Sequence, residues 1–190
     1  VPHVVTKVPE GDLTLPELYN TVKSLDQVTD VDYFMPGCAP TPKQIMNVVT
    51  AIVSGKLPPK GSYVGVGPKT VCDECPREKG DLNFTKFQRF ATGQPDPKKC
   101  LMEQGYLCVG MATRGGCEAR CQKGGVGCRG CYGPTDGVLD FGAKALSAIA
   151  SMMDAKTDEE VSAIIADLPD VARSFNRYGL AKALLGRKSM

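Results

Sequence analysis

Tryptophan is absent from this chain of 190 residues, aromatics make up only 6%, and a single histidine stands at position 3. So few aromatic faces argue against a surface that stacks nucleobases. His3 alone leaves histidine general acid-base chemistry almost without a candidate. Charge of one sign is lacking too: 23 Lys/Arg against 21 Asp/Glu leave a net charge of +2, too little to hold nucleic acid or a membrane surface electrostatically. No run approaches the roughly 18 apolar residues of a membrane span. The opening VPHVVTKVPEG matches neither a secretory signal nor an amphipathic transit peptide. With 42% hydrophobic residues, the composition is that of a soluble globular chain long enough to build a core.

What the chain has in abundance is cysteine. Cys72, Cys75, Cys100, Cys108, Cys117, Cys121, Cys128 and Cys131 fall within 60 residues, and Cys38 stands apart as a ninth. An odd count argues against a disulfide framework. Cys72/Cys75 and Cys128/Cys131 are CxxC pairs, the local geometry in which two thiolates reach one metal centre. The segment CEARCQKGGVGCRGC, residues 117–131, has almost no apolar side chains, so its order is expected from whatever its sulfurs bind.

Three parts organise the chain: 1–60, 61–135 and 136–190. In the first, DVDYF suggests a short buried strand over 31–34, and Pro36, Pro40 and Pro42 end it and hold Cys38 in a loop at its carboxyl end. Thr41 then caps a helix that starts at Pro42, with Gln44 in the reciprocal capping-box position and Ile45, Val48, Val49 and Ile52 on one face. Gly55 stops it. A second helix is expected over 15–24, with Pro16 in its first turn.

The middle part is rich in Gly, Pro, Cys and charge, with only FTKFQRFA (84–91) helix-like; bound metal can supply the folding energy that so little periodicity cannot. The last part reads as helical. DFGAKALSAIASMMDA places Leu146, Ile149 and Met153 on one face, Thr157 to Glu160 form a capping box, and Pro169 separates a final segment, VARSFNRYGLAKALL. These helices are expected to pack on the cysteine region or on a partner.

Structural zinc is the plain alternative for two groups of four cysteines. Zinc ribbons set their CxxC pairs around a short hairpin, whereas the intervening lengths here, 2, 24, 7, 8, 3, 6 and 2 residues, are loose enough to wrap bulkier clusters, though no residue count excludes zinc. Pro76 follows a CxxC, as in ferredoxins. Eight glycines between 105 and 130 leave backbone N–H groups free to approach sulfur, and eleven Lys/Arg against seven Asp/Glu over 69–131 suit anionic clusters. These features favour iron-sulfur.

Taken in order, VDYFMPGCAPTPKQI, VCDECPREKG, CLMEQGYLCVG, GGCEARC and GVGCRGCYGP resemble the carboxy-terminal part of nickel-iron hydrogenase small subunits, most closely the methyl-viologen-reducing type associated with heterodisulfide reductase. The resemblance implies an α/β remnant of a flavodoxin-like domain over 1–60, an irregular, loop-rich two-cluster iron-sulfur domain over 61–135, and a helical C-terminal tail over 136–190. It implies that Cys38 is the last ligand of a proximal 4Fe-4S cluster whose other ligands lie in an amino-terminal part this chain lacks, so that the sequence is a fragment. Cys72, Cys75, Cys100 and Cys108 match the distal 4Fe-4S ligands, the first being His in periplasmic uptake enzymes. Cys117, Cys128 and Cys131 match the medial ligands. Cys121 sits near the position that is proline in the three-iron members, which points to a medial 4Fe-4S cluster here.

The implied function is an oxidoreductase subunit that relays electrons between a hydrogen-activating large subunit and a redox partner such as a heterodisulfide reductase system. It has no hydrogen-activating site of its own. A cytoplasmic location in anaerobic metabolism follows from the same resemblance, with neither nucleic acid nor a membrane span. A sulfhydrogenase-type subunit would use the same clusters, and a zinc-stabilised non-redox binding module is the alternative from another class. A respiratory complex I-type subunit shares something like the PGCAP block but does not carry eight further cysteines.

Overall fold

The computed structural model describes residues 3–17, 19, 21–168 and 170–184. Among them the architecture is mixed α/β, with two small two-stranded sheets and six α-helices. Strands β1 (Val5–Val8) and β2 (Gly11–Thr14) form an antiparallel hairpin in which Val5 faces Thr14 and Val8 faces Gly11. The residues described between 15 and 24 contain no helix, contrary to the expectation from Pro16; Leu18 and Asn20 lie outside the described residues.

The strand expected over 31–34 is confined to β3 (Tyr33–Phe34), half-buried and paired in parallel with β4 (Ser62–Tyr63). Helix α1 (Pro42–Val53) connects them, so β3, α1 and β4 make a short β-α-β unit. The Thr41 side chain accepts from the Gln44 backbone N–H at 3.3 Å, as the sequence predicts. The reciprocal arm of the box does not form. Gln44 instead sends its amide to the Pro36 carbonyl at 2.7 Å, and the Thr41 N–H donates to the Tyr132 hydroxyl at 3.3 Å. Local capping gives way to two longer links that pin the Cys38 loop to the helix and to the cysteine region. Gly55, at φ +67°, ends α1. Ile45, Val49 and Ile52 of its apolar stripe remain exposed.

FTKFQRFA does not form a helix. Its Phe84 exchanges backbone hydrogen bonds with Met152 and Asp154, and the Gln88 N–H reaches the Gly105 carbonyl. Phe84 and Phe87 are buried with ring centroids 4.8 Å apart. Pairing with distant backbone satisfies the same polar groups a helix would, while also burying both rings.

After the short helices α2 (Val71–Glu74) and α3 (Arg120–Lys123) come α4 (Phe141–Ala150), α5 (Asp158–Ala166) and α6 (Val171–Asn176). Asp140 caps α4 and Thr157 caps α5 with the expected capping box. The buried face of α4 is Phe141, Gly142, Ala145 and Ile149, and Leu146 is turned outward, a correction to the face read from the sequence. Pro169, the expected interruption, lies outside the described residues, as do the last six residues, 185–190, of the helical tail. One hydrophobic cluster joins Leu101, Met102 and Val109 of the cysteine region to Phe141, Ile149 and Phe175 of the helices, with Cys108 and Cys128 inside it. Each such side chain contributes roughly 1.5–3 kcal/mol of burial. The helices therefore pack on the cysteine region, as expected. Among the described residues no helix is long and apolar enough to cross a membrane.

Candidate metal centre

All nine cysteines are free thiols. Cys72 lies on α2, which begins at Thr70 with Asp73 closing a capping box, and Cys75 ends it with its N–H on the Cys72 carbonyl. Cys100 is anchored by its N–H on the Glu78 carbonyl, and Cys108 is buried beyond Leu101 and Met102. These four form one electrostatic neighbourhood. Burial, and then the nearby Cys108, Cys100 and Cys75 thiols, push the Cys72 thiol up to about 12, against the pull of Lys79. Burial also raises Cys108, although the N–H groups of Cys128 and Gly110 and the Gln122 amide draw it back down.

Cys117, Cys121, Cys128 and Cys131 form the second neighbourhood. Burial pushes Cys128 up to about 12; the Thr113 hydroxyl and Gly130 N–H oppose this, while Cys108 and Cys117 add to it. Cys117 is raised by burial, opposed by the N–H groups of Ala119 and Arg120, with Glu74 and Cys121 adding to the rise. Cys131 is raised by burial as well; the Cys38 N–H lowers it, and Cys117 and Cys121 raise it. Cys121 is exposed on α3, and Cys38 is exposed in its loop with its backbone turned toward the Cys131 sulfur. Cys72 thus feels Cys108, Cys100 and Cys75, Cys131 feels Cys117 and Cys121, and Cys128 feels both Cys108 and Cys117, so the cysteine loops adjoin, with the Cys38 backbone beside Cys131. Among the described residues no three His, Cys, Asp or Glu side chains gather as ligands of a single metal ion.

The two sets meet. The Cys128 N–H donates to the Cys108 sulfur at 3.2 Å, and the Gln122 amide reaches the same sulfur at 3.6 Å. Three side chains that the sequence did not single out hold this junction. Glu74, inside the first CxxC, accepts from the N–H groups of Gly116 (2.5 Å) and Glu118 (2.9 Å) on either side of Cys117. Arg77, buried, donates to the carbonyls of Gln122, Asp96 and Lys99 at 3.0, 2.6 and 2.9 Å. Gln122 is the third. Each stands within two residues of a cysteine, which was the only available signal; their partners are up to 45 residues away.

Two glycines show how closely the backbone closes around the sulfurs. A Cβ on Gly110 would stand 3.3 Å from the Cys72 sulfur, 3.3 Å from the Gln122 amide nitrogen and 3.6 Å from the Cys108 sulfur. A Cβ on Gly127 would fall 2.0 Å from the Leu107 carbonyl oxygen. Free thiols, buried at Cys108 and Cys128 and approached there by N–H donors, are the donor type that thiolate-bound iron-sulfur clusters use, and in that chemistry these residues fit such a group.

The fold and site thus define a cysteine-rich protein whose cysteine loops adjoin at Cys108 and Cys128. No protein-family model matches the chain. It is 42% identical over 175 residues to a vhu-type F420-non-reducing hydrogenase subunit of Methanocaldococcus jannaschii, covering 92% of this chain and 56% of that protein. It is 41% identical over 194 residues to the F420-non-reducing hydrogenase iron-sulfur subunit of Archaeoglobus profundus, covering 99% of this chain and 59% of that protein. With the corresponding F420-non-reducing hydrogenase subunit of Methanothermus fervidus it shares 41% identity over 119 residues, 60% of this chain and 93% of the relative. The chain belongs to this family of F420-non-reducing hydrogenase subunits. It spans just over half the length of the first two relatives.

Proposed function

We propose that this chain is the iron-sulfur electron-transfer part of a nickel-iron hydrogenase small subunit. Cys72, Cys75, Cys100 and Cys108 hold one 4Fe-4S cluster, Cys117, Cys121, Cys128 and Cys131 hold a second, and Cys38 supplies one ligand to a third. The observation that carries this reading is the hydrogen bond from the Cys128 N–H to the Cys108 sulfur, which joins the loops of the two proposed ligand sets. When bound, the clusters supply one-electron transfer without acid, base or nucleophile. The chain's own residues hold the thiolates, direct N–H groups onto sulfur and exclude water, the levers that set potential. Relatives named as hydrogenase subunits, one of them as an iron-sulfur subunit, support the class of complex.

In this reading the electrons pass between a large subunit that activates hydrogen and an external redox partner such as a heterodisulfide reductase system, in a cytoplasmic complex. The β3-α1-β4 unit belongs to a flavodoxin-like domain. Its parallel pairing across a helix and the uncovered Ile45, Val49 and Ile52 support that assignment. The test is reduction under hydrogen, followed by EPR. The clusters become reduced in the complex with the large subunit and stay oxidised in this chain alone. Reduction of the isolated chain by hydrogen, or none in the complex, contradicts the proposal.

A further inference from the structure

Gln122 is 3% exposed and held at both ends. Its backbone carbonyl accepts from Arg77 Nε at 3.0 Å, and its Nε2 donates to the Cys108 sulfur at 3.6 Å. Its Oε1 is buried and has no hydrogen-bond partner among the described residues. A buried amide with an unpartnered oxygen costs stability that Leu or Met of similar volume would not. Packing therefore gives no reason for an amide here. What the amide has and an apolar side chain lacks is an N–H directed at sulfur, and that sulfur belongs to the other cysteine set: Gln122 follows Cys121, while Cys108 groups with Cys72. Gly110 keeps the approach open, since any Cβ there would stand 3.3 Å from Nε2 and 3.6 Å from the Cys108 sulfur.

We propose that Gln122 is a positioning residue that sets the reduction potential of the Cys72, Cys75, Cys100 and Cys108 centre from the loop of the neighbouring centre. The inference rests on the iron-sulfur reading above. Adding one electron, from the neighbouring centre or from an external one-electron reductant, makes a thiolate-bound centre more anionic, with no bond made or broken. An N–H donor on a ligand sulfur stabilises that form more than the oxidised one and raises the potential. Because the donor lies on the second loop, any shift of α3 changes the potential of the first centre. The two centres are thereby coupled through structure as well as through electron exchange.

The test is an EPR-monitored titration with dithionite on the full chain purified without oxygen, with iron and acid-labile sulfide counted on the same samples. Gln122→Met removes both the donor and the stranded oxygen at similar volume. It is expected to leave iron and sulfide unchanged, to keep or raise thermal stability, and to move one centre, and only one, to more negative potential. Gln122→Glu, which replaces the donor by an acceptor, moves the same centre further in the same direction. Unchanged potentials in both variants overturn the proposal. So does loss of iron from Gln122→Met, which would make the residue a structural support. Failure of the underlying reading is separately visible, because the unaltered chain would then lack sulfide before any variant is compared.

Discussion

The backbone N–H of Cys128 donates to the sulfur of Cys108 at 3.2 Å, so a residue of one thiol set is hydrogen-bonded to a sulfur of the other. The two proposed centres adjoin at this bond, and replacing either cysteine tests which set it serves.

Cys108→Ser leaves the second set of four intact. Iron and sulfide are expected to fall from about eight each per chain to about four each. Elemental analysis of anaerobically purified protein checks this, and a count equal to that of the unaltered chain would remove Cys108 from the ligands.

Cys121 lies in the first turn of α3, where proline is tolerated. Cys121→Pro is expected to convert only the second centre to a three-iron form, seen by EPR after oxidation. An unchanged spectrum would mean that Cys121 is not its fourth ligand.

Gly127→Ala places a methyl group 2.0 Å from the Leu107 carbonyl oxygen, backbone against backbone, so relief requires the two cysteine loops to part. The expected loss is about 1–3 kcal/mol, with faster release of iron to a chelator. Equal melting and release rates would show that the loops yield freely.

Arg114, 2% exposed, pairs with the exposed Asp136 at 2.5 Å and lies 3.9 Å over the Tyr63 ring. The hydrogen bond to Arg114, and then its charge, hold the Asp136 carboxyl below its usual value. A lowered folded value means the pair's stabilisation is complete above the unfolded carboxylate pKa and is lost as pH falls through the folded one. Asp136→Asn should therefore cost about 1 kcal/mol at neutral pH, limited by the exposure of the carboxylate. The difference between the two proteins in denaturant midpoint should vanish in strong acid. A constant difference across pH would assign the effect to something other than the carboxylate charge.

Local chemistry was legible in the sequence and distant pairing was not. Thr41 and Thr157 cap their helices because donor and acceptor are three residues apart. The short turn that carries Cys72 and Cys75 was legible because CxxC spacing is itself a geometric statement. FTKFQRFA has helical spacing of its phenylalanines, yet its backbone pairs with residues 17 to 70 positions away. The Gln44 amide abandons its cap for Pro36, and Glu74, Arg77 and Gln122 look like ordinary surface residues until the cysteine loops they contact are brought together. The β1/β2 hairpin carried only a short alternation and the turn residues Pro9-Glu10 as its signal.

The functional reading stands or falls with the eight clustered cysteines holding two iron-sulfur centres. Counting iron, acid-labile sulfide and zinc in protein purified without oxygen decides this. About eight iron and about eight sulfide per chain with little zinc are expected; stoichiometric zinc without sulfide would contradict it.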